Sequence, residues 1–143
     1  MPHPALAAYP VVIEADIAWG DMDSYGHVNN VVYFRYFENA RVELLSLVGW
    51  FELKDTHGMG PIVASASARF RKPLKYPDRI AIGARIADIQ PDRVTVEQAI
   101  YSSTWDAIAA DGPTVVVNFD YSKGTKAPLP DDLRAAIMAL TAT

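Results

Sequence analysis

The segment VVYFRYFENARVELLSLV, Val31 to Val48, decides the fold. Its apolar positions Tyr33, Tyr36, Phe37, Ala40, Leu44, Leu47 and Val48 recur at helical spacing, while Arg35, Asn39, Glu43 and Ser46 form a narrow polar stripe. The spacing predicts one helix, roughly 27 Å long, with Gly49 as its C-cap. A helix with so thin a polar stripe has to be largely wrapped by other structure, and its length suits a sheet several strands wide.

Downstream of a loop from Phe51 to Gly60 the period changes to two. In PIVASASARF, residues Ile62, Ala64, Ala66, Ala68 and Phe70 share one face, whose alanines are small enough for a helix to approach closely. RIAIGARIAD places Ile80, Ile82, Ala84 and Ile86 together, and VTVEQAIYS does the same with Val94, Val96, Gln98 and Ile100. A last strand is expected from Ile108 to Tyr121. The link Ile89–Arg93 has hairpin chemistry and Lys72–Asp78 that of a longer corner. Four strands in succession imply an antiparallel sheet. Upstream, Val11–Trp19 reads as a strand, and Pro130–Asp132 leads a short C-terminal helix, LRAAIMAL. One long apolar helix and one antiparallel sheet make an α+β arrangement in which the sheet curls around the helix.

At 143 residues the chain fits a single domain spanning 1–143, with an ordinary globular composition of 50% hydrophobic and 21% charged residues. A net charge of −4 argues against a nucleic-acid partner, which requires a concentrated basic face. Without cysteine there are no disulfides or thiolate metal sites, and a cytoplasmic location is compatible. No apolar run approaches the roughly 18 residues of a membrane span. The N-terminus lacks the basic region of a signal peptide. His3, His27 and His57 are scattered without ligand spacing, so neither a metal nor another cofactor is expected.

The entrance to the long helix carries unusual chemistry. WGDMDSYGHVNN, Trp19 to Asn30, gathers two aspartates, a histidine and two asparagines, a set suited to handling a small polar group. Together with Tyr33, Tyr36, Glu38 and Arg41, the run Asp21-Met22-Asp23 and Gly26-His27-Val28-Asn29-Asn30 resembles the opening of the hotdog-fold acyl-CoA thioesterases, the 4-hydroxybenzoyl-CoA thioesterase-like group. ARFRKPLKYPDRIAIGARI and the stretch from Asp120 through KAPLP resemble later parts of that family, so the likeness covers nearly the whole chain. It implies a hotdog fold, acyl-CoA as substrate, and a homodimer with the substrate in a groove between subunits, a homotetramer of dimers remaining open.

The resemblance places the catalytic carboxylate at Asp23, acting as general base or as nucleophile. A thioester oxygen gains negative charge under attack, and the first helical turn offers N–H donors without using side chains. The backbone N–H of Asn30 or Val31 is the expected oxyanion donor. Asp21 is expected to tie down the loop. Asn29 and Asn30 serve as helix caps or as substrate contacts, and His27 either bonds within the loop or meets the substrate. Glu38 is expected to pair with Arg35 or Arg41. Tyr33 is a candidate pocket wall. Arg69, Arg71, Lys72 and Lys75 lie where CoA phosphates could be neutralised, or form a solvated strand face. The loop His57–Pro61 is a candidate edge of the site. Two readings compete with hydrolysis: a hotdog dehydratase, for which only His27 and Glu38 could pair, and a non-catalytic acyl-CoA-binding or assembly protein.

Overall fold

The computed structural model describes residues 3–141. Helix α1 runs Asn30–Leu47 and buries Tyr33, Tyr36, Phe37, Ala40, Leu44 and Leu45. Asn29 starts it, its side-chain oxygen accepting the Val31 N–H at 3.1 Å. Gly49 ends it in the left-handed region, φ 82°, a conformation glycine adopts without strain.

Around the helix lie β1 (Val11–Asp16), α2 (Leu53–His57), β2 (Met59–Ala66), β3 (Arg69–Phe70), β4 (Arg79–Ile89), β5 (Arg93–Ser102), β6 (Ala107–Asp120), β7 (Thr125–Lys126) and α3 (Asp131–Thr141). The sheet order is β1-β4-β5-β6-β2, with β3 and β7 also paired to β6. Every pairing is antiparallel. Helix α1 packs chiefly on β4, β5 and β1. The expected inward faces of β4 and β5 are buried, from Ile80, Ile82, Ala84 and Ile86 to Val94, Val96, Gln98 and Ile100.

Four expectations are corrected. The predicted strand Val11–Trp19 stops at Asp16, because Trp19–Asp21 winds into a 3₁₀ turn. The predicted loop Phe51–Gly60 contains α2, whose five residues are too few to show a period, and it runs into β2 at Met59. PIVASASARF is two strands with little burial: Ile62 and Val63 are 41% and 48% exposed although they alternate. β2 is an edge strand whose register slips between Val63 and Ser65. The break before β3 falls where the chain crosses Gly112, so closely that a Cβ there would lie 2.0 Å from the Ser67 carbonyl oxygen. Finally, α1 is not fully wrapped. Val31 and Leu47 at its two ends are each 63% exposed, and Val42 is exposed between them.

Candidate active site

The loop before α1 is a tight hairpin. Met22 and Val28 form an isolated antiparallel bridge, the Asp23 N–H donates to the His27 carbonyl at 2.8 Å, and the Gly26 N–H returns to the Asp23 carbonyl at 3.1 Å. Gly26 makes the turn with φ 76°, where a side chain would be strained. Oδ1 of Asp23 accepts the N–H of Tyr25 at 2.9 Å and of His27 at 3.4 Å. These bonds aim the carboxylate and, among the described residues, leave its second oxygen without a protein donor.

Two anchors hold this hairpin to the body. The Asn29 N–H donates to the Asp21 carbonyl at 3.0 Å, so Asp21 does tie down the loop, through its backbone. The other anchor is Leu74, a fully buried residue in the otherwise exposed stretch Arg71–Pro77. Its carbonyl accepts the Val28 N–H at 2.8 Å, and its own N–H donates to the Tyr33 hydroxyl at 2.9 Å. One residue thereby clamps the loop and the first turn of α1 to the corner after β3.

Between hairpin, helix start and corner lies an open cavity of about 360 Å³. Asp23, His27, Val28, Asn30 and Tyr33 line one side, and Phe70, Arg71, Lys72 and Pro73 the other. Phe70 meets the Tyr33 ring edge to face at 5.0 Å between centroids. Burial raises the Tyr33 hydroxyl above its ordinary pKa; the Leu74 N–H opposes the shift and the Asp23 carboxylate adds to it. The phenol is therefore neutral at physiological pH.

The expected site residues divide clearly. Asp23, His27, Asn30, Tyr33, Arg71 and Lys72 share the cavity. Asn29 stands beside it as the cap, and in capping takes the Val31 N–H, leaving the Asn30 N–H as the first-turn donor without a protein acceptor among the described residues. Arg71 is held bidentately by Asp111, at 2.9 and 3.3 Å. Lys72 rests over the Trp105 ring at 5.0 Å, while Trp105 Nε1 donates to the Pro73 carbonyl at 2.7 Å. Arg69 faces a different groove, with Tyr9, Arg85 and Glu97. Among the described residues Glu38 makes no ion pair with Arg35 or Arg41. Arg41 turns inward instead and donates to Gln98 Oε1 at 3.1 Å and Thr114 Oγ1 at 3.3 Å. Desolvation lowers its pKa, with Glu38 opposing from a distance. His57–Pro61 lies at the opposite end of β2, where Met59, Gly60 and Pro61 line an apolar pocket with Phe51 and Tyr121.

Sequence reasoning overlooked Phe70, Pro73, Leu74 and Trp105. A signal was present for one of them: Leu74 stands alone among basic residues and prolines in RKPLKYP, a position apolar for a reason.

A long helix cradled by a curled antiparallel sheet, with a carboxylate hairpin at the helix N-terminus, defines a hotdog protein of the thioesterase kind. The pattern of the thioesterase-like superfamily matches residues 17–137. The chain belongs to that superfamily and is a thioester hydrolase. It is similar to the long-chain acyl-CoA thioesterase FadM of Escherichia coli K12, 24% identical over 113 residues that cover 79% of this chain and 86% of that one. A thioesterase from Thermus thermophilus, solved with coenzyme A and Zn, superposes with a TM-score of 0.83 at 28% identity, covering 96% and 98% of the two chains. A 1,4-dihydroxy-2-naphthoyl-CoA thioesterase from Synechocystis, TM-score 0.78 over 90% and 95%, is 21% identical and speaks for the fold alone. Among the described residues no helix is long and apolar enough to cross a membrane.

Proposed function

We propose that this chain hydrolyses an acyl-CoA to a carboxylate and free CoA, with Asp23 as general base and the Asn30 backbone N–H as oxyanion donor. The observation that carries the reading is that the Asp23 carboxylate and the start of α1 border the same open cavity. Water placed between Asp23 and the thioester carbon gives its proton to the carboxylate as its oxygen attacks. Charge moves onto the thioester oxygen, where the Asn30 N–H, at the positive end of the α1 dipole, receives it. Collapse of the tetrahedral species breaks the carbon–sulfur bond, and the proton held by Asp23 passes to the departing sulfur. Lys72, without an acidic partner among the described residues and at the cavity rim, offers charge to the CoA phosphates; Arg71, already neutralised by Asp111, contributes less. His27 and Asn29 shape the hairpin through their backbone and cap bonds.

The active form in this reading is a homodimer. β2 carries no charged residue and leaves Ile62 and Val63 open at the edge of the sheet, a strand suited to being covered by a second copy. Sedimentation at two protein concentrations tests this, and a monomer throughout would refute it.

The chain has no cysteine, so released CoA is read with a thiol reagent against no protein background. Across short, long and aromatic acyl-CoAs, at least one substrate class should turn over, and Asp23→Asn should abolish release with the fold retained. Acyl-CoA binding without CoA release by the native chain would mark it as a binding protein instead. Single turnover in ¹⁸O-water separates the two roles of Asp23, since a nucleophilic carboxylate would itself acquire the label.

A further inference from the structure

We infer that the Tyr33 hydroxyl is the second oxyanion donor of this site, standing in for the Val31 N–H that the helix cap removes. The inference rests on the hydrolytic reading above and assigns a catalytic group to it.

An oxyanion in a solvent-poor site is usually held by two donors, and the first turn of a helix ordinarily supplies them from successive N–H groups. Here that supply is cut to one. Asn29 Oδ1 takes the Val31 N–H at 3.1 Å, and the Val32 N–H donates to the Asn29 carbonyl at 2.9 Å. Of these three N–H groups, that of Asn30, a residue that lines the cavity, is left without an acceptor among the described residues and so is free for the substrate.

Tyr33 supplies what is missing. It is 4% exposed and lines the same cavity one helical turn beyond Asn30. A phenol has one hydrogen to donate and lone pairs that accept. Its acceptor side is committed: the Leu74 N–H, rigid in the corner after β3, points at the Tyr33 oxygen from 2.9 Å. The hydroxyl hydrogen must therefore turn away from Leu74, and among the described residues it has no protein acceptor. Phe70 packs edge to face with the Tyr33 ring, 5.0 Å between centroids, and the ring is buried. The result is a fixed, neutral, desolvated O–H donor in the cavity that Asp23 and Asn30 share. A buried donor without an acceptor is costly to keep unless something arrives to accept from it, and a thioester oxygen is such a group.

In the reaction the phenol keeps its proton. It shortens its hydrogen bond to the oxygen as negative charge develops, alongside the Asn30 N–H, while the water proton travels by way of Asp23 to sulfur. A contact made stronger in the transition state lowers kcat when lost and leaves KM nearly unchanged.

The test uses the full-length protein and the acyl-CoA on which it is most active. Tyr33→Phe retains the ring on Phe70 and should lower kcat about 100-fold with KM within about twofold. Because that variant also strands the Leu74 N–H, a second one carries 3,5-difluorotyrosine at position 33 alone, keeping both the acceptor and the shape. Its more acidic phenol loses the donor hydrogen at lower pH, so the alkaline limb of the kcat profile should move down with it, while melting temperature below that limb is unchanged. The inference is overturned by a folded Tyr33→Phe with kcat within about threefold of native. It is equally overturned by a difluorotyrosine profile superimposable on the native one. A shift of the acid limb of kcat/KM in Tyr33→Phe would also overturn it, since the hydroxyl would then be serving Asp23. Asp23→Asn, run in parallel, separates failure of this inference from failure of the reading beneath it: full activity in that variant removes Asp23 as the base whatever Tyr33 does.

Discussion

Replacing Tyr36 by Phe should make this protein more stable. The Tyr36 side chain is 6% exposed, and its hydroxyl is fully buried without a hydrogen-bond partner among the described residues. A hydroxyl stranded in this way costs about 1–3 kcal/mol of desolvation that no bond returns, and phenylalanine removes it while keeping the ring that packs inside α1. A net gain of about 1–2 kcal/mol is expected at constant protein concentration. For 143 residues the unfolding entropy is roughly 0.3 kcal/mol per degree, so the melting temperature should rise by about 3–7 °C. The alkaline limb gives a second, independent readout. Burial, with the Asp21 and Tyr33 charges adding to it, pushes the Tyr36 hydroxyl up to about 12. Between the ordinary phenol value near 10 and that figure, the unfolded chain has lost the proton and the folded chain still holds it. Stability from this group is thus complete below about pH 10 and is lost as pH rises to about 12, with a slope of about 1.4 kcal/mol per unit. Tyr36→Phe should flatten that part of the decline. Urea titrations from pH 8 to 12 measure both effects. A variant that melts lower than native would refute the reasoning, because the hydroxyl would then have a partner that holds it in solution.

Lys72→Gln should raise KM for acyl-CoA several-fold and leave kcat alone, with no effect on an acyl-pantetheine thioester that lacks the nucleotide; equal effects on both substrates would move Lys72 from phosphate binding to the cavity wall. Gly112→Ala should destabilise by about 1–3 kcal/mol, the usual range for overpacking, because its Cβ meets the backbone oxygen of Ser67. The displaced corner leads directly into Phe70 and Arg71, so activity should fall along with the melting temperature; a variant of native stability would show that β6 can move away from the crossing.

What the sequence disclosed about the fold was periodic. Helix α1 was found to within one residue at each end, because eighteen residues give a 3.6-residue repeat room to declare itself and a capping asparagine and glycine bracket it. The inward faces of β4 and β5 followed from simple alternation. Alternation misled at β2, where Ile62 and Val63 belong to opposite faces and are both open. Patterning reports that a face is apolar; it does not say whether the same chain covers it. The position of a strand at the sheet edge arises from the order β4-β5-β6-β2, a long-range choice that no window of ten residues contains.

The site was legible in the opposite sense, by residue type and hardly at all by direction. DxDxxGHVNN marked the hairpin, yet Arg69 on β3 and Arg71 just past its end, two residues apart, differ in whether they reach the cavity. Helical spacing suggested that Glu38 pairs with Arg35 or Arg41, but Arg41 lies toward the sheet, and Gln98 and Thr114, 57 and 73 residues away, take its hydrogens. Most consequential was the cap. Asn29 is a favoured N-cap, and a side-chain cap consumes a first-turn N–H by its nature. The two expectations made of this helix start, a capped terminus and a free backbone donor at Asn30 or Val31, therefore competed for the Val31 hydrogen. Stability of α1 takes the Val31 N–H, and in the reading proposed above the chemistry at this terminus draws its second donor from Tyr33, a side chain of the same helix that lines the cavity.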